Sequence, residues 1–501
     1  MTAPLLPSPV LERLGECARR SFGSQPVADA LGLPGQAAHS RGDLAGVERL
    51  TRGGSPTETL IRLFLLGLSM PESAVVEALA PLSVADAVSC GLLVRMPDAV
   101  AAGLDLRPYS ETDGPDWWVL SDLGADVRPG RLQPEHVLGI GQAATTLAQA
   151  TIRRPVGRAL DIGTGSGVQA LHLSRHADSV TGTDLSGRAL AFAAANAALN
   201  GLSWQLRQGS LLEPVRGEQF DLVVCNPPFI VGPGYHTNDG GFTYRDSGFA
   251  SDSVSRQLIE GLPAVLTEGG TAQLLANWVI DAEQPWADRL AGWLPSHGVD
   301  AWIWQREVAE PGEYVALWLR DGGEEPGTEA WRRRYDGWLD WFAREQVAAV
   351  GMGLVTIRRT DRTSHIVCED VPQPYQPPIG PAVDGWLQRS AWLAGADLFD
   401  ARLVAAPDLV LTSKSLLAGE DGWQPRLSQL SQSGGMRWEL EVDQAVSAFV
   451  AACTGTVPVG VLLDVIAQML ELPSADVRVA LLPVVHDLIA RGFLIPAGLA
   501  A

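Results

Sequence analysis

The chain has 501 residues, too many for one compact core, and 46% of them are hydrophobic, enough to fill roughly three domains. A net charge of −21 excludes a protein that coats nucleic acid through a wide basic surface, while leaving room for a docked complex with a local basic rim. The five cysteines, Cys17, Cys90, Cys225, Cys368 and Cys453, are scattered, with no Cys-x-x-Cys and no His at ligand spacing, so neither a metal nor a disulfide framework is expected. The first residues lack a basic stretch followed by an apolar core, and no run of 18 apolar residues occurs, which predicts a soluble, cytoplasmic protein with no membrane partner.

Residues 1–130 read as short helices followed by strands. Spans 57–68, 72–80 and 83–93 carry apolar residues at three- and four-residue spacing, each ending near Pro, Ser or Gly. Spans 103–109 and 117–121 then read as strands around the turn-rich Glu111-Thr112-Asp113-Gly114-Pro115, so a winged-helix-like module is expected. Ten Arg against sixteen Asp plus Glu in 1–130 favour protein docking or substrate positioning over DNA reading by this module.

From 131 strands alternate with helices, the pattern of a mostly parallel sheet with helical crossovers. Strands are expected at 158–162, 179–184, 205–208, 221–225 and 271–278, with helices at 168–175, 187–199 and 252–266 between them. Spans 299–307 and 314–320 read as an antiparallel edge, which closes this domain at 325. Residues 326–440 are expected to form an accessory region: a long Trp- and Arg-rich helix at 329–349, a strand at 354–358, and a strand-like, turn-rich stretch from 361. Residues 441–501 read as a C-terminal helical, winged-helix-like domain, with two Arg against six acidic residues.

Two motifs carry the chemistry. Asp161-Ile162-Gly163-Thr164-Gly165-Ser166-Gly167 follows a strand and opens a helix, where glycines let the backbone turn tightly and approach a ligand. Its G-x-G-x-G spacing differs from the G-x-G-x-x-G of dinucleotide binders and favours a ligand without a pyrophosphate. Asp184 closes the next strand at the position where a carboxylate accepts ribose hydroxyls, which points to a nucleoside cofactor. The second motif, Asn226-Pro227-Pro228-Phe229, ends the apolar run 220–225. An Asn side-chain oxygen and a proline carbonyl held side by side offer two acceptors to one planar NH2 group, and the Phe gives that group a flat face to lie on.

With both motifs in order, the chain resembles the class I S-adenosylmethionine-dependent methyltransferases over about residues 131–325. It is similar to the branch carrying (Asn/Asp)-Pro-Pro-(Phe/Tyr/Trp), which includes release-factor and ribosomal-protein glutamine methyltransferases, rRNA guanine-N2 methyltransferases and N6-adenine methyltransferases. The resemblance implies an α/β, Rossmann-like domain with S-adenosylmethionine as cofactor and S-adenosylhomocysteine as product. It implies that Asp161, Gly163, Thr164, Gly165 and Gly167 line the methionine and ribose side, that Asp184 holds the ribose hydroxyls, and that Leu185 packs on the adenine. The third-strand motif, usually Gly-Asp-Leu-Phe-Glu-Pro, stands here as Gly209-Ser210-Leu211-Leu212-Glu213-Pro214, so Ser210, beside Leu211, replaces the Asp that commonly accepts from the adenine amino group.

In the same branch Asn226, Pro227, Pro228 and Phe229 form the transfer site. An amide or ring amino nitrogen has its lone pair delocalised, and as it attacks a sulfonium methyl its N–H groups become stronger donors. Acceptors aimed at those hydrogens therefore bind the transition state more tightly than the ground state. The following loop, 230–249, is rich in Gly and aromatics and reads as a lid, from which Tyr235, His236, Tyr244 and Arg245 are candidate substrate contacts. The paired tryptophans Trp302/Trp304 and Trp331/Trp338/Trp341 have strand and helix spacing, as core packing requires.

These expectations combine into an N-methyltransferase acting on a macromolecule of the translation system, with flanking domains choosing the target. An RNA or other nucleic-acid amino group and a protein glutamine both fit the motif. Two rival readings stay open: a small-molecule methyltransferase of secondary metabolism, and a non-catalytic winged-helix regulator that senses S-adenosylmethionine. The oligomeric state is not legible.

Overall fold

The structure is a computed structural model that describes residues 2–111, 114–124, 127, 132–234, 248–417 and 423–499. The chain divides into two compact units, Met1–Ala148 with Arg154–Asp370, and Gln149–Arg153 with Val371–Ala501.

The first unit is built on an eight-stranded sheet. Its strands are β1 (Val156–Ile162), β2 (Ala177–Asp184), β3 (Gln205–Gln208), β4 (Phe220–Cys225), β5 (Leu266–Ile280), β6 (His297–Ala309), β7 (Ala349–Thr363) and β8 (His365–Asp370), in the order β8-β6-β7-β5-β4-β1-β2-β3. All neighbours pair in parallel except β7, which runs antiparallel to both β5 and β6. The central strands are apolar runs because helices, among them α1 (Val168–Leu173) and α2 (Gly187–Leu199), cover both faces of a parallel sheet; in β4, Phe220 and every residue from Leu222 to Cys225 are buried. This is the mostly parallel, Rossmann-like arrangement expected from the strand–helix alternation. Trp302 and Trp304 lie buried in β6 with ring centroids 4.6 Å apart, in the core as their spacing indicates.

The sheet does not close at 325. β7 and β8 come from the region expected to be an accessory domain, and β7 inserts between β5 and β6. The span 314–320, expected as an edge strand, is instead the helix α3 (Pro311–Asp321). Pro311 opens it, and the buried Tyr314, Val315 and Leu319 recur at helical rather than alternating spacing. A second helix, α4 (Glu329–Arg344), follows and buries Trp338, Trp341 and Phe342. The two helices are thus an insertion between antiparallel neighbours β6 and β7.

The N-terminal segment holds helices from Ser8–Ser21 to Val84–Ser89 and then two antiparallel pairs, Leu93–Arg95 with Val100–Ala102 and Asp105–Tyr109 with Trp117–Ser121. The span 57–68 is a short α-helix, Pro56–Leu60, continued by one π-helical turn, Ile61–Leu65. This segment shares one hydrophobic core with Ala189, Phe192, Ala195 and Leu199 of the helix α2. Asn196 on that helix and Asn200, which caps its C-terminal end, act as a substitute strand partner. Asn196 accepts from the Leu120 N–H at 2.8 Å and donates to the Leu120 carbonyl at 2.9 Å, and Asn200 does the same for Trp118 at 2.9 Å each way.

The second unit carries the helix Gly380–Leu393, a three-stranded sheet in the order Thr454–Pro458, Arg402–Ala405, Leu494–Pro496, and a second sheet in the order Leu409–Leu417, Trp423–Gln432, Glu439–Val442. The helices Gln444–Ala452, Val459–Met469 and Ser474–Ala490 complete it. The helical tail expected as a separate 441–501 domain therefore shares a compact unit with residues from 371 onward. The expected strand-like character of 361–440 holds for its two ends and is interrupted by the helix Gly380–Leu393.

Candidate active site

At the carboxyl ends of β1, β2 and β4 lies a cavity of about 320 Å³, within the size range of small-molecule sites. The glycine loop forms its floor. Gly165 has φ 56, a left-handed backbone that glycine adopts without strain, and it lines the cavity. Gly167 has φ 90, and a Cβ there would stand 2.6 Å from the Trp204 ring, so only glycine fits beneath that indole.

Two carboxylates organise the loop. Asp184 accepts from the Gly165 N–H at 2.9 Å through one oxygen and from the Ser186 N–H at 2.8 Å through the other. Thr164 donates its hydroxyl to Asp161 at 2.6 Å, which leaves the second Asp161 oxygen buried without a hydrogen-bond partner among the described residues. Burial pushes the Asp161 carboxyl up to about 7; the Thr164 hydrogen bond opposes that rise and the nearby Asp184 adds to it. Burial also raises Asp184, against the hydrogen bonds from Ser186 and Gly165.

The third strand contributes Ser210 and Leu211 to the wall, and Leu211 holds a left-handed backbone with φ 47, a local strain that turns the chain into the cavity. Leu185 is 60% exposed and lines the same wall. Opposite them stand Asn226, Pro227 and Pro228. The side-chain oxygen of Asn226 is buried and has no partner among the described residues. Each predicted residue of the glycine loop from Gly163 to Gly165, together with Asp184, Leu185, Ser210, Leu211, Asn226, Pro227 and Pro228, lines this one cavity, whereas Asp161 and Gly167 do not. Phe229 sits beyond the wall and meets Trp318 edge-on at 6.1 Å between ring centroids. Tyr235, His236, Tyr244 and Arg245 lie outside the described residues.

Two contributions escaped the sequence. The first is a strap formed by 135–139, in which Glu135, His136, Val137 and Leu138 line the cavity. Asp122 accepts from the Val137 N–H at 2.8 Å and pairs with Arg188 at 2.6 Å, and Ser166 of the glycine loop donates its hydroxyl to the Leu138 carbonyl at 2.7 Å. Burial lowers His136, which is 5% exposed, and favours its neutral form even though Asp122 pulls the other way. No spacing signal marks this strap in the sequence.

The second is the support behind the Asn-Pro-Pro-Phe turn. Tyr314 of α3 accepts from the Val231 N–H at 2.9 Å and from the Asn277 side chain at 2.8 Å, and Trp338 of α4 donates to the Val231 carbonyl at 3.2 Å. Further along the chain, the Ser251 N–H reaches the Gly232 carbonyl at 2.8 Å. Among the described residues no group of His, Cys, Asp and Glu is set to hold a metal, and no helix is long and apolar enough to cross a membrane.

Comparison with known proteins agrees with this geometry. Residues 139–241 match the Methyltransferase small domain, and residues 19–103 and 384–496 match two domains of unknown function, DUF7059 and DUF7782. The chain is 30% identical over 271 residues to the release factor glutamine methyltransferase of Deinococcus radiodurans, a match covering 52% of this chain and 89% of that protein. It is 37% identical over 147 residues to the release factor glutamine methyltransferase of Xylella fastidiosa, covering 28% of this chain and 52% of the relative. The ribosomal RNA small subunit methyltransferase C of Alcanivorax borkumensis is 33% identical over 133 residues, covering 25% of this chain and 36% of that one. The chain thus spans about half the length of the Xylella relative and about a third of the Alcanivorax one. With the sheet order, the glycine loop and the Asn-Pro-Pro-Phe turn around one cavity, the chain belongs to the class I S-adenosylmethionine-dependent methyltransferases, in the (Asn/Asp)-Pro-Pro-(Phe/Tyr/Trp) branch with the release factor glutamine methyltransferases among its relatives.

Proposed function

We propose that this protein transfers a methyl group from S-adenosylmethionine to a planar NH2 nitrogen of a macromolecule of the translation system, a glutamine amide or an rRNA base amino group, and releases S-adenosylhomocysteine. The observation that carries this reading is the buried, unpartnered Asn226 oxygen at the wall of the cavity. A buried acceptor without a donor costs about 1–3 kcal/mol, and an incoming NH2 group relieves that cost.

The cavity suits the cofactor. Its charged lining residues among those described are Glu135 and Asp184, both acidic, which favours a ligand with positive sulfonium and ammonium groups. The buried, unpartnered Asp161 oxygen, near the end of β1 and next to the glycine loop, is a further acceptor. Each Asp184 oxygen already takes one backbone N–H, but a carboxylate oxygen accepts two hydrogen bonds, so capacity for the ribose hydroxyls remains. Exposed Leu185 gives the adenine an apolar face, and Ser210 offers its amino group a neutral acceptor.

Bound S-adenosylmethionine supplies an electrophilic methyl group on a positively charged sulfur. The rest is the chain's own work. Asn226 Oδ1 and the Pro227 carbonyl accept the two N–H groups of the target, whose donor strength grows as the nitrogen turns tetrahedral. Pro227 and Pro228 fix the turn, and Phe229 gives the planar target a surface to stack on. The nitrogen sheds its proton to solvent after transfer, so no base residue is required.

Domains at 1–130 and beyond 370 are larger than a small acceptor needs, and we assign them to target choice, with winged-helix-like roles at the two ends and the cytoplasm as the place of action. The test is transfer of labelled methyl into total cell lysate, followed by protease, RNase or DNase. Label lost to protease identifies the glutamine amide, and label lost to RNase identifies the base. Label confined to the small-molecule fraction sinks the reading.

A further inference from the structure

In the second unit the strand Leu409–Leu417 pairs with Trp423–Gln432 on one side and, among the described residues, is the outer strand of its sheet on the other. An open strand edge is a template for another chain, and proteins normally blunt it with proline, bulges, charges or a covering element. The opposite side of this ribbon has those protections. Glu439–Val442 covers residues 428–431, and further out Pro425 offers no backbone N–H and a register shift interrupts the ladder opposite Lys414 and Ser415. The 409–417 edge has no proline, and its single charge is Lys414, the chain's one lysine. Its apolar side chains stand in solvent: Val410 is 46% exposed, Leu411 50%, Leu416 56% and Leu417 57%.

The sequence of that edge is complementary to itself. Leu409-Val410-Leu411-Thr412-Ser413-Lys414-Ser415-Leu416-Leu417 is apolar at both ends and polar in the middle. Laid antiparallel on a second copy about Ser413, it sets Leu409 opposite Leu417, Val410 opposite Leu416, and Thr412 opposite Lys414. Two apolar pairs therefore form at each end, Leu411 lies opposite Ser415, and the lysines do not face each other, so the contact gains its cross-strand stabilisation at its ends. A two-fold contact of this kind closes on itself, each residue meeting its counterpart twice. It also joins two three-stranded sheets into one of six strands.

We propose that the strand Leu409–Leu417 is a homodimer interface in which two copies of this chain pair edge to edge, antiparallel and centred on Ser413. The proposal is independent of the methyl-transfer reading. The full chain is followed by light-scattering mass across a concentration series. The expected result is a concentration-dependent rise to twice the mass of one chain. Val410→Lys with Leu416→Lys sets like charges opposite each other and weakens dimerisation at least tenfold, whereas Val410→Lys with Leu416→Glu sets opposite charges together and restores it. Under mild oxidation Ser413→Cys forms a cross-linked dimer, and Leu409→Cys, whose counterpart lies at the far end of the ribbon, does not. All four positions are exposed or half-buried, so folding is preserved in every variant. A single-chain mass at every concentration, equal cross-linking of the two cysteine variants, or the edge occupied by a strand of another protein overturns the proposal.

Discussion

The hydroxyl of Tyr314 accepts the backbone N–H of Val231 at 2.9 Å, fastening the chain two residues beyond Phe229 to a helix inserted between β6 and β7. Tyr314 is fully buried, and its hydroxyl also takes the Asn277 amide at 2.8 Å, so the turn that carries Asn226 is held from behind by side chains far away in sequence. Tyr314→Phe leaves two buried donors without an acceptor. We expect denaturant unfolding to register a loss of about 1–3 kcal/mol. Methyl transfer should slow while calorimetric affinity for S-adenosylmethionine stays the same. Unchanged transfer would mean that the Val231 bonds do not position the turn.

The carboxylate of Asp184 ties the glycine loop to the end of β2 and is assigned the ribose. Asp184→Ala removes the acceptor for Gly165 and Ser186 together with the ribose contact, and calorimetry should show cofactor affinity falling at least tenfold, about 1.4 kcal/mol or more. An unchanged affinity would remove Asp184 from the site.

Ser210 stands where relatives of this branch commonly carry Asp. Ser210→Asp supplies a charged acceptor, and charge-assisted hydrogen bonds are roughly twice as strong as neutral ones. Cofactor affinity should rise several-fold in a titration. A fall would place the adenine amino group elsewhere.

The buried Asp161 gives the site a pH signature. Its carboxyl is raised to about 7 from the usual 3.8, chiefly by burial, so the folded cofactor-free protein holds that proton more tightly than the unfolded chain. The stabilising contribution is complete below about 3.8 and is lost as pH rises through about 7. Asp161→Asn should flatten this part of the stability–pH curve. A cationic ligand favours the ionised carboxylate, so cofactor binding should release a proton below pH 7 and tighten as pH rises toward it. Calorimetry in buffers of different ionisation heat measures the released proton. Binding independent of pH over this range in the parent protein would contradict the assignment.

The legibility of this protein follows the range of its interactions. Asp161 to Gly167, Asp184 and Asn226 to Phe229 are readable because each sits in a local strand-then-turn pattern, and the parallel sheet then gathers those strand ends at one cavity. The end of the sheet was not readable. β7 pairs with β5 and β6 across the helices α3 and α4, and nothing within residues 349–363 names those partners. The helix α3 reads as a strand in the sequence because its helical spacing rests on only three residues, Tyr314, Val315 and Leu319, in one short run. The strap 135–139 is positioned by Asp122, Arg188 and Ser166, contacts that a turn-rich stretch does not announce.

The most direct test of the central claim is incorporation of labelled methyl from S-adenosylmethionine into the macromolecular fraction of a cell lysate, comparing the parent protein with Asn226→Ala. The account predicts ready incorporation by the parent and a loss of about 10²–10³ in the variant, the size of effect seen when one donor or acceptor aimed at a transition state is removed, with cofactor still bound. Equal incorporation by the two proteins, or no incorporation by a parent that binds the cofactor, would contradict it.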